Sequence, residues 1–151
     1  MSKIYLCPEH IYVGHFGGAA GATPMTEVSE VQLVAGRGLV GDRYFDRQAG
    51  HKGQVTFFAE ETWTRLCQEL GVFFPGPSVF RRNVLVREAD LFSLINQEFE
   101  VQGVRFRGVE HCKPCVWMDQ AFAPGTLAKL SAWSAGGLRA SILSDGWLKA
   151  G

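Results

Sequence analysis

The sequence predicts one domain that is mostly β, with a helix or two packed against it. Its 18 glycines among 151 residues are about 12% of the chain, against an average near ~7%, and they are spread along its length. Between the glycines lie short runs rich in β-branched and aromatic residues, which is typical of a barrel or a sandwich. With 46% hydrophobic and 20% charged residues, the chain can build its core without disulfides or metals. We therefore expect residues 1–151 to form a single domain.

Seven runs are predicted as strands and two segments as helices. The predicted strands are 11–16, 28–35, 54–58, 79–86, 97–101, 104–109 and 138–143. The longer helix, 59–70, places apolar residues at i, i+3, i+4 and i+7 and is followed by Gly71 as a stop signal. The shorter helix is predicted over 124–132, with Pro124 in its first turn.

Charge and cysteine content exclude several classes of partner. Lys and Arg total 15 and Asp and Glu total 15, so the chain lacks the basic excess expected of a nucleic-acid binder. No apolar run approaches the ~18 residues of a membrane span, and the first residues lack the apolar segment of a signal peptide. The 4 cysteines are too few for a disulfide scaffold. We expect reduced thiols, a cytoplasmic location, and neither nucleic acid nor membrane as a partner.

The densest chemical motif is His111-Cys112-Lys113-Pro114-Cys115. Two thiols at this spacing can form a disulfide, supply half of a metal site, or act as a reactive thiolate and its resolving partner. Structural zinc would also need Cys7 and Cys67, and a thioredoxin-like pair would begin a helix in a βαβ unit. Neither context fits well, which leaves ordinary buried cysteines or reactive thiols of another kind.

Two other segments offer cationic side chains. Arg37 and Arg43 lie in the glycine-rich stretch 36–44 and can donate to a carboxylate or a phosphate. Arg81 and Asn83 are two residues apart, so in an extended strand they would share one face while Arg82 would point to the other. For both segments, solvated surface charges are the alternative interpretation.

Taken in order, these motifs resemble the MOSC domain, the C-terminal domain of molybdenum-cofactor sulfurases. The matching segments are 36–44, 54–61, 81–84, 112–115 and 136–143, and the resemblance spans roughly residues 25 to 149, closest to the short standalone bacterial members. It implies a β-barrel with one longer and one or two short helices outside it.

The resemblance also assigns roles to the thiols. In the amidoxime-reducing relatives the cysteine that corresponds to Cys115 ligates molybdenum. In the sulfurases the domain is thought to bind the cofactor and to receive sulfane sulfur. Carried over, Cys115 is the functional thiol and metal ligand, and Cys112 is the thiol that could resolve a persulfide.

The cofactor-binding residues implied by the resemblance are cationic or amide side chains. Arg81 and Asn83 correspond to an arginine and an asparagine that contact the molybdenum cofactor in those relatives. Lys113 would lie over the pterin or its phosphate, and Arg37 and Arg43 would complete an anion-binding pocket.

The leading functional hypothesis is a sulfur carrier or molybdenum-cofactor-binding domain. Its partners would be a cysteine desulfurase or another sulfur donor, and molybdenum cofactor or a molybdoenzyme as acceptor, because no pyridoxal-phosphate site is identified in this chain. One alternative is a small molybdenum oxidoreductase that reduces N-hydroxylated compounds with Cys115 as metal ligand. Another is a non-enzymatic protein-binding β-barrel module in which the thiols are incidental.

Overall fold

The computed structural model describes residues 3–6, 25–46, 50–52, 54–74 and 76–151. The predicted strand 11–16, and Cys7 with it, lie outside the described residues.

The described elements are ten strands, three α-helices and two 3-10 turns. The strands are β1 (Lys3–Leu6), β2 (Thr26–Val28), β3 (Glu30–Val34), β4 (Gly38–Leu39), β5 (Val55–Ala59), β6 (Val84–Val86), β7 (Glu98–Val101), β8 (Val104–His111), β9 (Leu138–Ile142) and β10 (Gly146–Lys149). The helices are α1 (Glu60–Leu70), α2 (Trp117–Ala121) and α3 (Thr126–Ala132), and the 3-10 turns are Pro77–Phe80 and Phe92–Leu94.

The strands form two open sheets. The larger has seven strands in the order β2-β1-β6-β5-β9-β8-β7, and the smaller has three in the order β10-β3-β4. All pairs are antiparallel except β5 with β6. The mostly β class with one longer and two short helices is confirmed. The β-barrel that the family resemblance implies is not detected among the described residues, where β2 and β7 are the edges of the larger sheet and the smaller sheet packs on it as a second layer.

The main hydrophobic core lies between the two sheets. Val31, Leu33 and Leu148 of the smaller sheet share one buried cluster with Phe57 and Phe106 of the larger sheet. The rings of Phe57 and Phe106 meet edge to face, with centroids 5.2 Å apart, a geometry that aromatic quadrupoles favour. This core fixes the smaller sheet on one face of the larger sheet.

The helices cover the other face of the larger sheet. Phe58 and Leu85 point away from the inter-sheet core and form a second buried cluster with Leu66, Met118 and Leu130 of the three helices. Because β5 is buried on both faces, its apolar residues are consecutive instead of alternating. None of the described helices has the length and apolarity needed to cross a membrane.

The predicted helices are found with small shifts of their ends. The longer one begins at Glu60 and is followed by Gly71 in the left-handed conformation (φ 66°), whose N–H donates to the Cys67 carbonyl. The shorter one begins at Thr126, two residues after Pro124, and Oδ1 of Asp119 accepts a hydrogen bond from the Leu127 N–H at 2.8 Å in its first turn. That carboxylate satisfies a donor that the first turn leaves free.

Candidate functional site

The Cys-x-x-Cys motif forms a loop between β8 and α2. Cys112 follows the last residue of β8, its N–H donates to the Gly137 carbonyl at 2.8 Å, and its side chain is 2% exposed. Cys115 is exposed, and its carbonyl accepts the Met118 N–H at the start of α2. Both are free thiols. The structure therefore separates one thiol in the interior from one at the surface.

This loop rests directly on Gly136 and Gly137. A Cβ on Gly136 would lie 2.1 Å from the Cys112 carbonyl oxygen and 2.9 Å from Cδ of Pro114. A Cβ on Gly137, where φ is 114°, would lie 2.6 Å from the Phe57 carbonyl oxygen. Only glycine allows so close an approach and such a φ without displacing its neighbours. Gly136 and Gly137, at the start of the segment 136–143, thus form the surface on which the thiol loop packs, which we call the glycine bed.

His111, which directly precedes the loop, forms a hydrogen bond with the glycine bed. The Gly136 N–H donates to Nε2 of His111 at 2.8 Å, so this nitrogen carries a lone pair and the proton of the neutral ring sits on Nδ1. Burial, with the nearby charges of Arg82 and Lys113, lowers the pKa of His111 below its ordinary value. Each cause favours the neutral ring that can accept this hydrogen bond.

Arg82 is the arginine that reaches the thiol loop. Its Nε donates to the Gly136 carbonyl at 2.9 Å and its Nη1 to the Phe80 carbonyl at 2.9 Å. Burial lowers the pKa of Arg82, Cys112 and Cys115 raise it, and Arg139 lowers it further. No described carboxylate forms an ion pair with Arg82. Arg82 is half-buried, and a partly desolvated guanidinium without an acid favours an anion beside it.

The sequence reasoning missed Arg82 because it treated 79–86 as one strand. Residues 77–80 form a 3-10 turn, and Arg81 follows it with φ 58°, so the strand begins only at Val84. This left-handed residue turns the chain, and the predicted common face for Arg81 and Asn83 does not exist. The positive φ of a non-glycine residue carries no clear sequence signal.

Arg81 and Asn83 consequently face different surroundings. The Arg81 guanidinium lies 4.8 Å from the ring centre of Trp117, in the helix that follows Cys115. Asn83 is 7% exposed and its amide donates to the Tyr5 carbonyl and to Asp42, while its Oδ1 accepts from the N–H and hydroxyl of Thr56. Arg81 belongs to the neighbourhood of the thiol loop, whereas Asn83 ties strands together.

Lys113 and Arg37, two further predicted cofactor contacts, lie in different parts of the structure. Lys113 is exposed on the thiol loop itself. Arg37 pairs with Asp46 through two hydrogen bonds of 3.0 and 2.9 Å. Its loop is anchored by the Gly36 N–H to the Ile142 carbonyl, at the end of β9 opposite Gly137, about 16 Å along the strand. The structure does not bring Arg37 to the thiols.

Arg43 lies in a loop that contacts the segment carrying Arg82. Its guanidinium lies over the Tyr44 ring at 4.7 Å, and its Nε is buried with no hydrogen-bond acceptor among the described residues. The preceding residue, Asp42, contacts the Asn83 amide, so this loop abuts the segment that carries Arg82. An orphaned buried donor of this kind fits an anionic ligand.

The donor set limits what kind of metal could be held. Among the described residues no group of three or more His, Cys, Asp or Glu side chains could hold a metal ion. A metal at this site would take Cys115 as its protein ligand and its remaining ligands from a cofactor. A groove of about 300 Å³ beside α1, lined by Glu60, Arg65 and Arg87 among others, contains none of the site residues.

Solved structures share this fold. The YuaD protein from Bacillus subtilis matches with a TM-score of 0.73 and 16% identity, over 99% of this chain and 90% of its own. YiiM from Geobacillus stearothermophilus matches with a TM-score of 0.70 and 11% identity, over 99% of this chain and 70% of its own. YiiM from Escherichia coli matches with a TM-score of 0.62 and 17% identity, over 82% of this chain and 60% of its own.

The sequence comparisons identify the family. No curated protein matches the chain. The family model described as MOSC domain matches residues 45–151, a range that contains the thiol loop, Arg82 and the glycine bed and begins after Arg37 and Arg43. The chain belongs to the MOSC domain family.

Proposed function

We propose that this MOSC-domain protein carries sulfane sulfur on Cys115 and delivers it to molybdenum cofactor, which binds at the same site. The observation that carries the proposal is an exposed thiol on a loop that packs on Gly136, the residue whose carbonyl accepts a hydrogen bond from Arg82, a guanidinium with no carboxylate partner among the described residues. A soft thiolate suits both a persulfide and a thiophilic metal, and an arginine attracts both a persulfide anion and the phosphate of a cofactor.

Loading of Cys115 requires no external oxidant or reductant. The Cys115 thiolate attacks the outer sulfur of a donor persulfide, a new S–S bond forms, and the donor leaves as a thiolate. The product is a Cys115 persulfide. Release of its outer sulfur as sulfide takes two electrons: the Cys112 thiolate attacks the inner sulfur, a Cys112–Cys115 disulfide forms, and the electron pair of the broken persulfide bond leaves with the sulfide. A thiol reductant then restores the two cysteines. We expect Cys112, at 2% exposure, to act only after a local movement of the loop.

The cationic side chains around the loop support binding of an anionic cofactor. Molybdopterin carries a phosphate, which arginine binds with bidentate hydrogen bonds. Arg82 and the orphaned Nε of Arg43 are the candidates for that contact, together with Arg81 and Lys113. When bound, the cofactor would supply a metal centre with redox chemistry, and Cys115 would hold its metal.

The proposed partners follow from what the site contains. The described residues offer a thiol that can accept sulfur and cations that can bind anions, so the sulfur must come from elsewhere. We propose a cysteine desulfurase or another sulfur donor as the source and molybdenum cofactor or a molybdoenzyme as the acceptor.

Mass spectrometry of the full chain after incubation with a cysteine desulfurase and cysteine tests the carrier role. We expect one added sulfur atom on Cys115, none in Cys115→Ser, and an undiminished adduct in Cys112→Ala. Added sulfur on other cysteines only, or none at all, would contradict the proposal.

Metal analysis tests the cofactor-binding role. Protein purified from a molybdenum-replete host should retain molybdenum and pterin fluorescence, and Cys115→Ser should lose the metal. Reduction of an N-hydroxylated compound by the loaded protein would favour the oxidoreductase alternative. The binding-module alternative predicts neither sulfur nor molybdenum, and full biological activity when both loop cysteines are replaced by serine.

A further inference from the structure

Two cationic side chains, one on the thiol loop and one bonded to the glycine pair beneath it, have no described carboxylate to neutralise them. Neither Arg82 nor Lys113 forms an ion pair with a described carboxylate. Glu110, the acidic residue that precedes the loop, lies 3.6 Å from Lys52 and 3.9 Å from Arg139. The ligand that completes this site is therefore expected to carry more than one negative charge.

Hydrogen bonds to backbone carbonyls hold the Arg82 side chain in one orientation. Two of its five N–H donors are taken by the carbonyls of Phe80 and Gly136, which come from the two segments on either side of it. Gly136 in turn packs against Pro114, the neighbour of Cys115. The side chain thus has its geometry fixed by the backbone while donors remain for an oxyanion, which lowers the entropic cost of binding one.

We propose that Arg82, with Lys113, binds a small dianionic sulfur oxyanion of the thiosulfate class, from which Cys115 takes sulfur directly. This inference rests on the proposed function, since it names a donor for the same thiol. Such a donor carries the charge that the surroundings of Cys115 lack. It also places a sulfonate, a good partner for a guanidinium fork, next to the sulfur that is transferred.

The reaction is balanced without a further reactant. The Cys115 thiolate attacks the outer sulfur of thiosulfate and forms a new S–S bond. The sulfur–sulfur bond of thiosulfate breaks, its electron pair leaves with sulfite, and Cys115 is left as a persulfide anion. The total charge of reactants and products is the same, and Arg82 holds the sulfonate group that becomes sulfite.

Single-turnover loading of the full chain with sodium thiosulfate tests the inference, with sulfite release and the mass of Cys115 as readouts. We expect stoichiometric sulfite and one added sulfur on Cys115. Arg82→Gln should raise the thiosulfate concentration for half-maximal rate by roughly tenfold or more, as expected for losing a charge-assisted contact. Arg82→Lys should recover part of that loss.

Two controls separate this role from a structural one. Arg107→Gln removes an exposed arginine of β8 and should leave thiosulfate loading unchanged. Loading of Arg82→Gln by a cysteine desulfurase should fall much less than loading by thiosulfate, because both reactions use the Cys115 thiolate but only thiosulfate uses the oxyanion contact. If Arg82→Gln unfolds, competition by sulfate in the unaltered chain replaces it. Sulfate should then slow loading by thiosulfate while loading by the desulfurase persists.

A failure of this inference and a failure of the proposed function give different experimental results. If the desulfurase loads Cys115 and thiosulfate does not, the donor assignment is wrong and the carrier role stands. Equal thiosulfate loading of Arg82→Gln and the unaltered chain overturns the role of Arg82. If neither donor loads Cys115, the proposed function fails with the inference. A site that serves only the phosphate of the cofactor would give cofactor binding that depends on Arg82 with no sulfite release, which also overturns it.

Discussion

The backbone N–H of Gly136 donates to Nε2 of His111 at 2.8 Å, across 25 residues of sequence. This hydrogen bond joins the last residue of β8, directly before the thiol loop, to the glycine bed beneath the loop. It requires a neutral imidazole, because a protonated ring has no acceptor nitrogen. The state of one titratable ring is therefore linked to the packing of the loop that carries both Cys112 and Cys115.

Acidification should weaken this attachment. Burial and the charges of Arg82 and Lys113 lower the pKa of His111 in the folded chain below its ordinary 6.5, so below pH ~6.5 the unfolded chain binds more protons than the folded one. The stabilising contribution is complete above that pH and is lost as the pH falls towards the lowered folded value.

Chemical unfolding between pH 8 and 5 measures the effect. The unaltered chain should lose more free energy of unfolding on acidification than His111→Gln, whose amide oxygen can still accept the Gly136 N–H but does not titrate. Parallel pH profiles of the two proteins would show that His111 is not linked to stability.

Cysteine labelling should distinguish the two loop thiols. Cys115 is exposed, whereas Cys112 and Cys67 are 2% and 4% exposed, and burial raises the pKa of Cys67. With iodoacetamide under native conditions we expect Cys115 to be modified first, with the other two modified only in denaturant. Peptide mapping assigns each site, and comparable native rates for Cys112 and Cys115 would contradict the described loop.

A side chain at Gly136 should disrupt the bed of the loop. In Gly136→Ala the new Cβ would meet the Cys112 carbonyl oxygen and Pro114 at 2.1 and 2.9 Å, so we expect a loss of about 2 to 4 kcal/mol of unfolding free energy from overpacking against backbone. Gly76→Ala is the matched control, since nothing lies within 4 Å of its Cβ and its φ of -72° suits alanine. Denaturant unfolding of both variants checks this, and equal stabilities would refute the close packing.

Asn83 should prove important for stability. Asn83→Ala would leave the hydrogen-bonding groups of Tyr5, Thr56 and Asp42 without the partner that the amide provides, and we expect a cost of about 2 to 4 kcal/mol. Gln68→Ala, on the exposed face of α1, should change stability by less than about 0.5 kcal/mol. A stable Asn83→Ala that has lost cofactor would instead support the direct cofactor contact that the family resemblance implies.

The sequence by itself determined the local elements and the family. Helix α1 and its end at Gly71, most of the strands, and the Cys-x-x-Cys and Gly-Gly motifs follow from periodicity and residue type, because these signals act over a few neighbouring residues. They predict a mostly β chain with a thiol loop. They do not determine the order of the strands in the two sheets, which results from pairings between distant segments such as β1 with β6 and β5 with β9.

Only the tertiary structure decided which residues meet at the site. The contact of Arg82 with Gly136 spans 54 residues, and it exists because Arg81 turns the chain with a positive φ that its sequence does not announce. The loop that carries Arg37 and the thiol loop lie against opposite ends of β9, which separates Arg37 from the thiols. Within the thiol loop, Cys112 lies in the protein interior and Cys115 lies at the surface. Residue types and short-range patterns identify the candidate site residues. Long-range packing, which depends on the whole chain, decides which of them lie close together.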